Sequence, residues 1–295
     1  MAAPGAAEGL NLTPKARAGC PPGSRWPYTA ATRSPEEPVL DSHLRRPAPA
    51  ALLLACLLLA AGLRPVPAAD LAGGFTLGGS LAVTSNYIYR GVSESNGHAA
   101  VQADLHAESS GGTFLGAWGS TRDHDLDPYT DFDLEIYLGQ RFKLSNAWSA
   151  ALSARGHYFV GGGPEGSTDY EQLAGSLTYL DRWTLSLAAI PNATHYWFDQ
   201  RVGRSSAWVA ETAGQWLLPA DGLFVTCGAG YYYASRTGPG IGAGGGYAYG
   251  DAGLAFEHRH WRLEIGYFAT QDKARKLVPY PAPVDRVAGT LVWRF

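Results

Sequence analysis

Apolar and polar residues alternate most clearly between Phe75 and Arg90, where the chain reads FTLGGSLAVTSNYIYR. The odd positions, up to Tyr89, are mostly apolar, and the even positions are mostly small and polar. Successive side chains of a strand point to opposite faces. The pattern therefore predicts one strand that continues to Arg90 and has an apolar and a polar face.

The same alternation recurs along the chain, and after Asp70 it predicts about 12 strands. Residues 113–121 and 169–180 are strand-like, but their pattern does not show which side chains lie on the apolar face and which on the polar face. No apolar run in this part of the chain approaches the roughly 20 residues that a membrane helix needs. The predicted strands are 75–90, 99–107, 113–121, 132–142, 148–158, 169–180, 183–189, 208–218, 223–233, 248–256, 261–269 and 287–295.

The connections between these strands alternate in length. Those after even-numbered strands are short, such as SSGG and LSN, whereas most of those after odd-numbered strands are longer, such as PNATHYWFDQRVGRSS. Outer-membrane barrels have an even strand number, short periplasmic turns and longer extracellular loops. In hydrocarbon, every backbone N–H and C=O group needs a hydrogen-bond partner within the protein, and a closed barrel provides one for each strand edge. The sequence thus predicts an all-β fold, a closed antiparallel transmembrane β-barrel of about 12 strands, with a soluble secreted sandwich as the rival.

Residues 44–69 have the features of a secretory signal peptide. Arg45 and Arg46 precede an apolar stretch, and small residues precede Asp70, the expected start of the mature chain. We expect an exported protein of the bacterial outer membrane. The predicted organisation is an unstructured extension over 1–43, which suggests a start site assigned too far upstream, a signal peptide over 44–69 and a barrel over 70–295.

Composition narrows the function. The chain has 46% hydrophobic and 12% aromatic residues, which argues against disorder, and its net charge of -3 argues against a nucleic-acid partner. The predicted leader is basic, so the mature chain is more acidic than the whole. Cys227 is the only cysteine after the leader and cannot form an internal disulfide.

Aromatic residues fall near the ends of the predicted strands, where they would form two interfacial girdles. Ordinary packing is the alternative role for any one of them. The residues predicted to lie in the girdles are Tyr87, Tyr89, Trp148, Tyr158, Trp183, Tyr231, Tyr233 and Trp293.

Charged residues on the polar faces are predicted to line the lumen. One strand carries an acidic column and the next carries a basic one, and opposed columns create a transverse field that orients charged solutes. The alternative is that these charges pair and fill a plugged lumen. The predicted pore-lining residues are Arg90, Asp104, Asp131, Asp133, Glu135, Arg155, His157, Glu211, Asp251, Glu257, Arg262, Glu264 and Arg286.

A weak metal candidate begins at Asp123. Asp125 and Asp127 follow at the spacing of a calcium loop, but Pro128 occupies the position that needs glycine. A surface cation bound there is the most that this motif predicts.

The predicted function is a porin-like channel for passive diffusion of small hydrophilic solutes or ions, with a weak cation preference from the acidic mature chain. A non-conducting structural or adhesive barrel is the first alternative. A barrel hydrolase using His106 or His157 is the second, although no motif ties a serine or carboxylate to either. We predict no enzyme and no cofactor.

Three motifs carry a resemblance to a known family. The stretches SNYIYRGVSES, FLGAWGS and DYEQLAGSLTY resemble the TorF family of porin-like bacterial outer-membrane proteins, whose function is largely unknown. The resemblance extends from about Gly74 to Phe295 and implies an outer-membrane pore in a Gram-negative bacterium. Where that family usually has a Tyr-Pro-Gly turn, this chain reads HYFVGGGPEG.

The C-terminus, GTLVWRF, places Leu291, Trp293 and Phe295 on one face. This arrangement resembles the signal read by the bacterial barrel-assembly machinery. The predicted partners are therefore that machinery, outer-membrane lipid, lipopolysaccharide and small hydrophilic solutes. A homo-oligomer is left open, because an apolar outer face suits lipid and a neighbouring barrel equally well.

Overall fold

The computed structural model describes residues 69–71, 74–123, 130–161, 169–196, 202–236, 244–277 and 285–295. The predicted extension and all but the last residue of the predicted signal peptide lie outside these ranges, as do Asp125 and Asp127 of the calcium candidate. The strands are β1 Ala69–Leu71, β2 Phe75–Thr84, β3 Ile88–Tyr89, β4 Val92–Ser93, β5 Ala100–Ser109, β6 Thr113–Thr121, β7 Phe132–Lys143, β8 Trp148–Val160, β9 Tyr170–Tyr179, β10 Trp183–Tyr196, β11 Val202–Leu217, β12 Leu223–Ala234, β13 Gly245–His258, β14 Trp261–Thr270 and β15 Arg286–Arg294.

Twelve of the described strands, β2 and β5 to β15, form one antiparallel sheet that closes on itself. Each strand pairs with the next along the chain, and β2 pairs with β5 on one edge and with β15 on the other. The short β1 covers the remaining part of the second edge, opposite Phe75 to Leu77. The prediction of a closed antiparallel barrel of about 12 strands is confirmed.

The connections alternate in length as predicted, but one long loop is shorter than expected. β10 and β11 extend through most of residues 191–206, and their register shifts between Ile190 and Ala193. Pro191 lies at this shift, because a proline has no N–H to donate to the ladder. The two strands therefore project further than their neighbours.

Another difference concerns the first barrel strand. The sequence predicts one strand to Arg90, but β2 ends at Thr84, and the chain does not enter the next barrel strand until Ala100. The intervening residues carry the short β3–β4 hairpin, which forms its own two-stranded sheet. This segment positions the candidate site described below.

The single described helix, α1, is Ala274–Leu277 and follows β14. It is one turn long and packs against β13 through Leu277, which lies beside Gly245. No described helix is long and apolar enough to cross a membrane.

The barrel wall has two chemically different faces. Along β7, the exposed Ile136 and Leu138 alternate with the buried Glu135 and Tyr137, as the period of a strand requires. Exposed large apolar residues of the outer face include Leu105, Leu115, Leu152, Leu173, Leu185, Leu187, Leu254, Leu263 and Ile265. Buried polar residues of the inner face include Thr84, Gln102, Ser120, Asp133, His157, Gln172, Arg262, Thr270 and Thr290.

Aromatic side chains form a ring near each end of the outer face. At the short-turn end these are Phe142, Trp148, Tyr179, Trp183, Trp216 and Phe256, and at the long-loop end Phe132, Tyr158, Trp208, Tyr231 and Tyr267, all of them exposed. Tyr233 is half-buried beside Trp208. Three of the predicted girdle residues differ, because Trp293 is buried next to Phe295, and Tyr87 and Tyr89 lie inside the barrel.

Candidate functional site

The connection between β2 and β5 folds into the lumen. We call its residues 86–95 the inward hairpin. β3 and β4 form its two arms, and Arg90 and Gly91 form its two-residue turn, with φ of 54° and 75°. Positive φ at both positions is the geometry of a type I′ turn, which suits the twist of a two-stranded hairpin.

The turn is held by side chains from the inner face of three strands. The Tyr247 hydroxyl of β13 donates to the Arg90 carbonyl over 3.0 Å, and the Thr270 hydroxyl of β14 donates to the Gly91 carbonyl over 2.8 Å. The Arg90 guanidinium donates to the Gln172 side chain of β9. The turn is therefore fixed through its backbone and through its one charged side chain.

A small polar network shapes the hairpin itself. The Ser93 hydroxyl donates to Asn86 Oδ1 over 2.5 Å, and the Tyr87 amide donates to Ser95 Oγ over 2.8 Å. The Glu94 amide donates to the Tyr87 carbonyl over 2.8 Å. Short polar side chains thus satisfy backbone groups that a longer sheet would otherwise pair.

Tyr87 and Tyr89 connect the hairpin to the opposite wall. The Tyr87 hydroxyl donates to Asp133 Oδ2 on β7 over 2.8 Å, and the Tyr89 ring lies 5.8 Å from the His157 ring on β8. Burial raises the pKa of Tyr89 to about 12, so its phenol stays protonated at neutral pH. Both tyrosines point into the lumen and not, as the sequence predicted, toward lipid.

Charged residues anchor the outer end of this connection. Arg122, just after β6, forms an ion pair of 2.7 Å with Glu94, and both side chains are largely buried. His98 pairs with Asp123, the first residue of the predicted calcium loop. Asp123 is thus already engaged by a neighbouring histidine.

Beside the hairpin, the inner face of β7 and β8 carries a charged belt, and its His157 ring contacts Tyr89. Arg155 donates to Glu135 over 3.0 Å, and His157 Nε2 lies 3.4 Å from the same carboxylate. The His157 ring also stacks on Tyr170 at 4.3 Å. These contacts give His157 a packing role in the wall.

A second polar group lies on β5 and β7. The Tyr137 hydroxyl donates to Asp104 over 2.7 Å, and His106 Nδ1 lies 2.5 Å from the same carboxyl group. Asp104 therefore joins two neighbouring side chains of the inner face, and His106 lies next to a carboxylate.

The short-turn end of the lumen carries further ion pairs. Arg262 pairs with Glu257 over 2.6 Å and also with Glu264, and Arg294 reaches the same Glu257 over 3.1 Å. On the other side of the barrel, Arg141 pairs with Glu108 over 3.0 Å. Opposite charges are therefore matched locally at this end.

The register places most of the predicted pore-lining residues on the inner face of the barrel strands, and Arg90 lies on the hairpin. Asp131 is exposed just before β7, and Arg286 is exposed at the start of β15. Their role in lining a pore stays a prediction. The inner-face strand residues are Asp104, Asp133, Glu135, Arg155, His157, Glu211, Asp251, Glu257, Arg262, Glu264 and Arg286.

Sequence reasoning missed the hairpin and its contacts. Gln172 and Tyr247 were not singled out, because each contacts the turn only through the closed barrel. Two signals pointed to a turn: Ile88 interrupts the alternation, and Arg90-Gly91 stands between two short apolar stretches. A two-residue turn ending in glycine is a hairpin signal.

Comparison with protein families and curated proteins gave one match and one negative result. The model of a family of bacterial proteins of unknown function, Gcw_chp, matches residues 68–237, which include the three motifs quoted above. No curated protein matches the chain. The resemblance to the TorF family stays a prediction.

Several solved structures are similar at low identity. The NanC porin aligns with a TM-score of 0.47 and 9% identity over 73% of this chain and 97% of that chain. An outer-membrane channel from Pseudomonas putida F1 aligns with a TM-score of 0.43 and 12% identity over 79% of this chain and 100% of that chain. Salmonella typhi OmpF in complex with daunomycin aligns with a TM-score of 0.45 and 10% identity over 75% of this chain and 98% of that chain. These values are too low to transfer a solute or an activity.

The family match covers more than half of the chain and includes the inward hairpin together with barrel strands β2 to β12. The chain therefore belongs to the Gcw_chp family of bacterial proteins of unknown function.

Proposed function

We propose that this protein is an outer-membrane channel for passive diffusion of small hydrophilic solutes or ions. The observation that carries the proposal is the closed barrel with an apolar outer face and a charged inner face. Such a wall satisfies its backbone groups internally and presents hydrocarbon only to its surroundings, which suits a span through lipid.

The outer face supports the membrane location. Leu138 and Leu173 are 62% and 60% exposed. Soluble monomers rarely expose contiguous apolar patches larger than a few hundred Å². Here the exposed apolar residues continue around the barrel between two aromatic rings, which favours lipid contact over a soluble sandwich.

The strand pattern and the predicted leader support the outer membrane in particular. An even number of strands with short turns at one end and long connections at the other is typical of bacterial outer-membrane barrels. Export through a cleaved signal peptide, and recognition of Leu291, Trp293 and Phe295 by the assembly machinery, remain part of the proposal.

The lumen supports passage of polar solutes. Acidic and basic side chains lie at several levels of the inner face, including the Glu135–Arg155 pair and the Arg262 cluster. Locally paired charges still give the lumen a polar surface, which suits hydrated solutes. The excess of acidic residues in the mature chain favours cations weakly, which we include in the proposal.

Single-channel recording is the direct test. The protein is purified from membranes, inserted into a planar bilayer and recorded in a salt gradient. Stable current steps with a reversal potential that favours cations support the proposal, and equal permeability to both ions would remove the cation preference. A folded barrel without current steps, in the full-length protein and in the shortened variant described next, would favour a non-conducting structural barrel.

A further inference from the structure

We propose that the inward hairpin is a plug that closes the outer half of the lumen and must move for solutes to pass. The proposal rests on the channel function proposed above, and it assigns the regulation of that channel to a segment within the chain.

The burial of the hairpin is the first argument. Residues that line an open passage keep part of their surface accessible, yet Ile88 and Ser93 are 0% exposed and Arg90 is only 5% exposed. The wall residues opposite them, including Asp133 and Tyr247, are buried as well. At this level the space between hairpin and wall is filled by protein.

The second argument is the span of the hairpin across the lumen. Its Tyr87 hydroxyl contacts Asp133 on β7, and its Arg90 carbonyl receives a hydrogen bond from Tyr247 on β13. In the order of the barrel, β7 and β13 are six strands apart out of twelve, so they face each other across the lumen. The hairpin therefore bridges the barrel from one wall to the opposite one.

Apolar contacts fill the remaining directions. Ile88 packs with Phe268 of β14 and Ala288 of β15, and Val92 packs with Tyr247 and with Ala274 of α1. The hairpin thus meets β7, β13, β14 and β15, in addition to Gln172 on β9. A segment held from this many sides blocks the lumen and does not merely narrow it on one side.

Unsatisfied polar atoms give the closed position an energetic cost. Asn86 Nδ2, Arg90 Nε and Asp133 Oδ1 are buried without a hydrogen-bond partner among the described residues. Buried polar groups without partners are costly. Movement of the hairpin toward the outer mouth would expose these groups to water, and their hydration would offset part of the packing free energy that the movement removes.

The Glu94–Arg122 ion pair is the latch in this proposal. It lies at the outer end of the hairpin, joins it to the end of β6, and is largely buried on both sides. Removing one partner of a buried ion pair is strongly destabilising. Loss of Arg122 therefore weakens the closed position, and the substitution itself lies outside the barrel strands.

A shortened hairpin tests the plug directly. Glu94 N and Tyr87 O are already within 2.8 Å, so residues 88–93 can be replaced by two glycines without stretching the base. The full-length wild type and this variant are compared by single-channel recording. We expect a severalfold higher mean conductance for the shortened protein.

A point variant provides the second test, should the shortened protein fail to fold. Arg122→Gln breaks the latch, and Arg275→Gln is the matched control because it breaks an exposed pair with Asp272 at the same end of the barrel. We expect the open fraction to rise severalfold in Arg122→Gln and to stay at the wild-type value in Arg275→Gln.

The outcomes separate the plug from the channel. Equal conductance of the wild type and the shortened protein would show that the hairpin does not block the lumen, while the channel would stand. An absence of current from both proteins, with heat-modifiable electrophoretic mobility proving that both barrels are folded, would overturn both proposals. An unchanged open fraction in Arg122→Gln would also overturn the plug.

Discussion

Gly91 shows how strongly the inward hairpin depends on single positions. Its φ is +75°, and a Cβ there would lie 2.5 Å from Thr270 Oγ1 and 2.7 Å from Tyr249 Cβ. Left-handed backbone strains any residue with a side chain. Gly91 therefore allows both the turn and its close approach to the wall.

We predict that Gly91→Ala lowers the free energy of unfolding by about 1–3 kcal/mol from backbone strain alone, with the steric conflict in addition. The control is Gly74→Ala, which has nearly the same φ, +74°, but nothing within 4 Å of the added Cβ. Urea unfolding in lipid vesicles measures both. Equal losses for the two variants would contradict the close approach at Gly91.

The Tyr87–Asp133 bond gives a second prediction at this scale. Tyr87→Phe removes the donor to a buried carboxyl group and should lower the free energy of unfolding by about 1–3 kcal/mol. Tyr158→Phe is the control, because Tyr158 lies on the exposed outer face. If both changes have the same small effect, the Tyr87 bond does not stabilise the barrel.

At the scale of strands, the two-faced pattern makes the barrel predictable. In each strand, alternate residues predict which side chains face inward and which face outward. The lengths of the connections predict which end of the barrel has the short turns. Both predictions use local sequence and require no knowledge of distant contacts. The extension of β10 and β11 escaped prediction because Pro191 and Asn192 are typical of loops.

The facing of β7 can be tested with charge. We predict that Leu138→Arg costs about 2–4 kcal/mol in the free energy of unfolding in vesicles, since Leu138 lies in the middle of the outer face, whereas Leu144→Arg, in the adjoining turn, costs at most about 1 kcal/mol. Equal costs at the two positions would mean that the middle of β7 does not face hydrocarbon.

The inward hairpin is where reasoning strand by strand fails. Tyr87 and Tyr89 continue the alternation of β2 and were therefore predicted to face lipid, but the chain turns inward after Thr84. The alternation of apolar and polar residues alone predicts that charged side chains such as Glu135 and Arg155 lie on the inner face. The contacts of the hairpin with Gln172 and Tyr247 come from strands far away in sequence, which only closure of the barrel brings together.

In the molecule as a whole, Phe295 extends the seam at which β15 and β2 close the barrel. The Phe295 amide donates to the Gly79 carbonyl, and the Gly79 amide donates to the Phe295 carbonyl, both over 3.0 Å. These bonds extend the β15–β2 seam, whose strand register pairs only Ser80 to Thr84. Phe295 therefore belongs to the seam and to the predicted assembly signal.

We predict that Phe295→Ala lowers the amount of heat-modifiable folded barrel in the outer membrane severalfold. Phe256→Ala is the matched control, an exposed phenylalanine at the same end of the barrel, outside the seam. Quantitative electrophoresis of unheated membranes measures the folded fraction. Equal amounts for both variants would exclude a specific role of the C-terminal residue.

The seam has a consequence for biosynthesis. Thr290 of β15 donates a hydrogen bond to Thr84 of β2 across a separation of 206 residues, so the edge of β2 has no β15 partner until these further residues have been synthesised. Unpaired strand edges are templates for aggregation. A chain that stops before β15 keeps two such edges, and we expect the cell to degrade truncated products and to shield the chain until β15 pairs with β2.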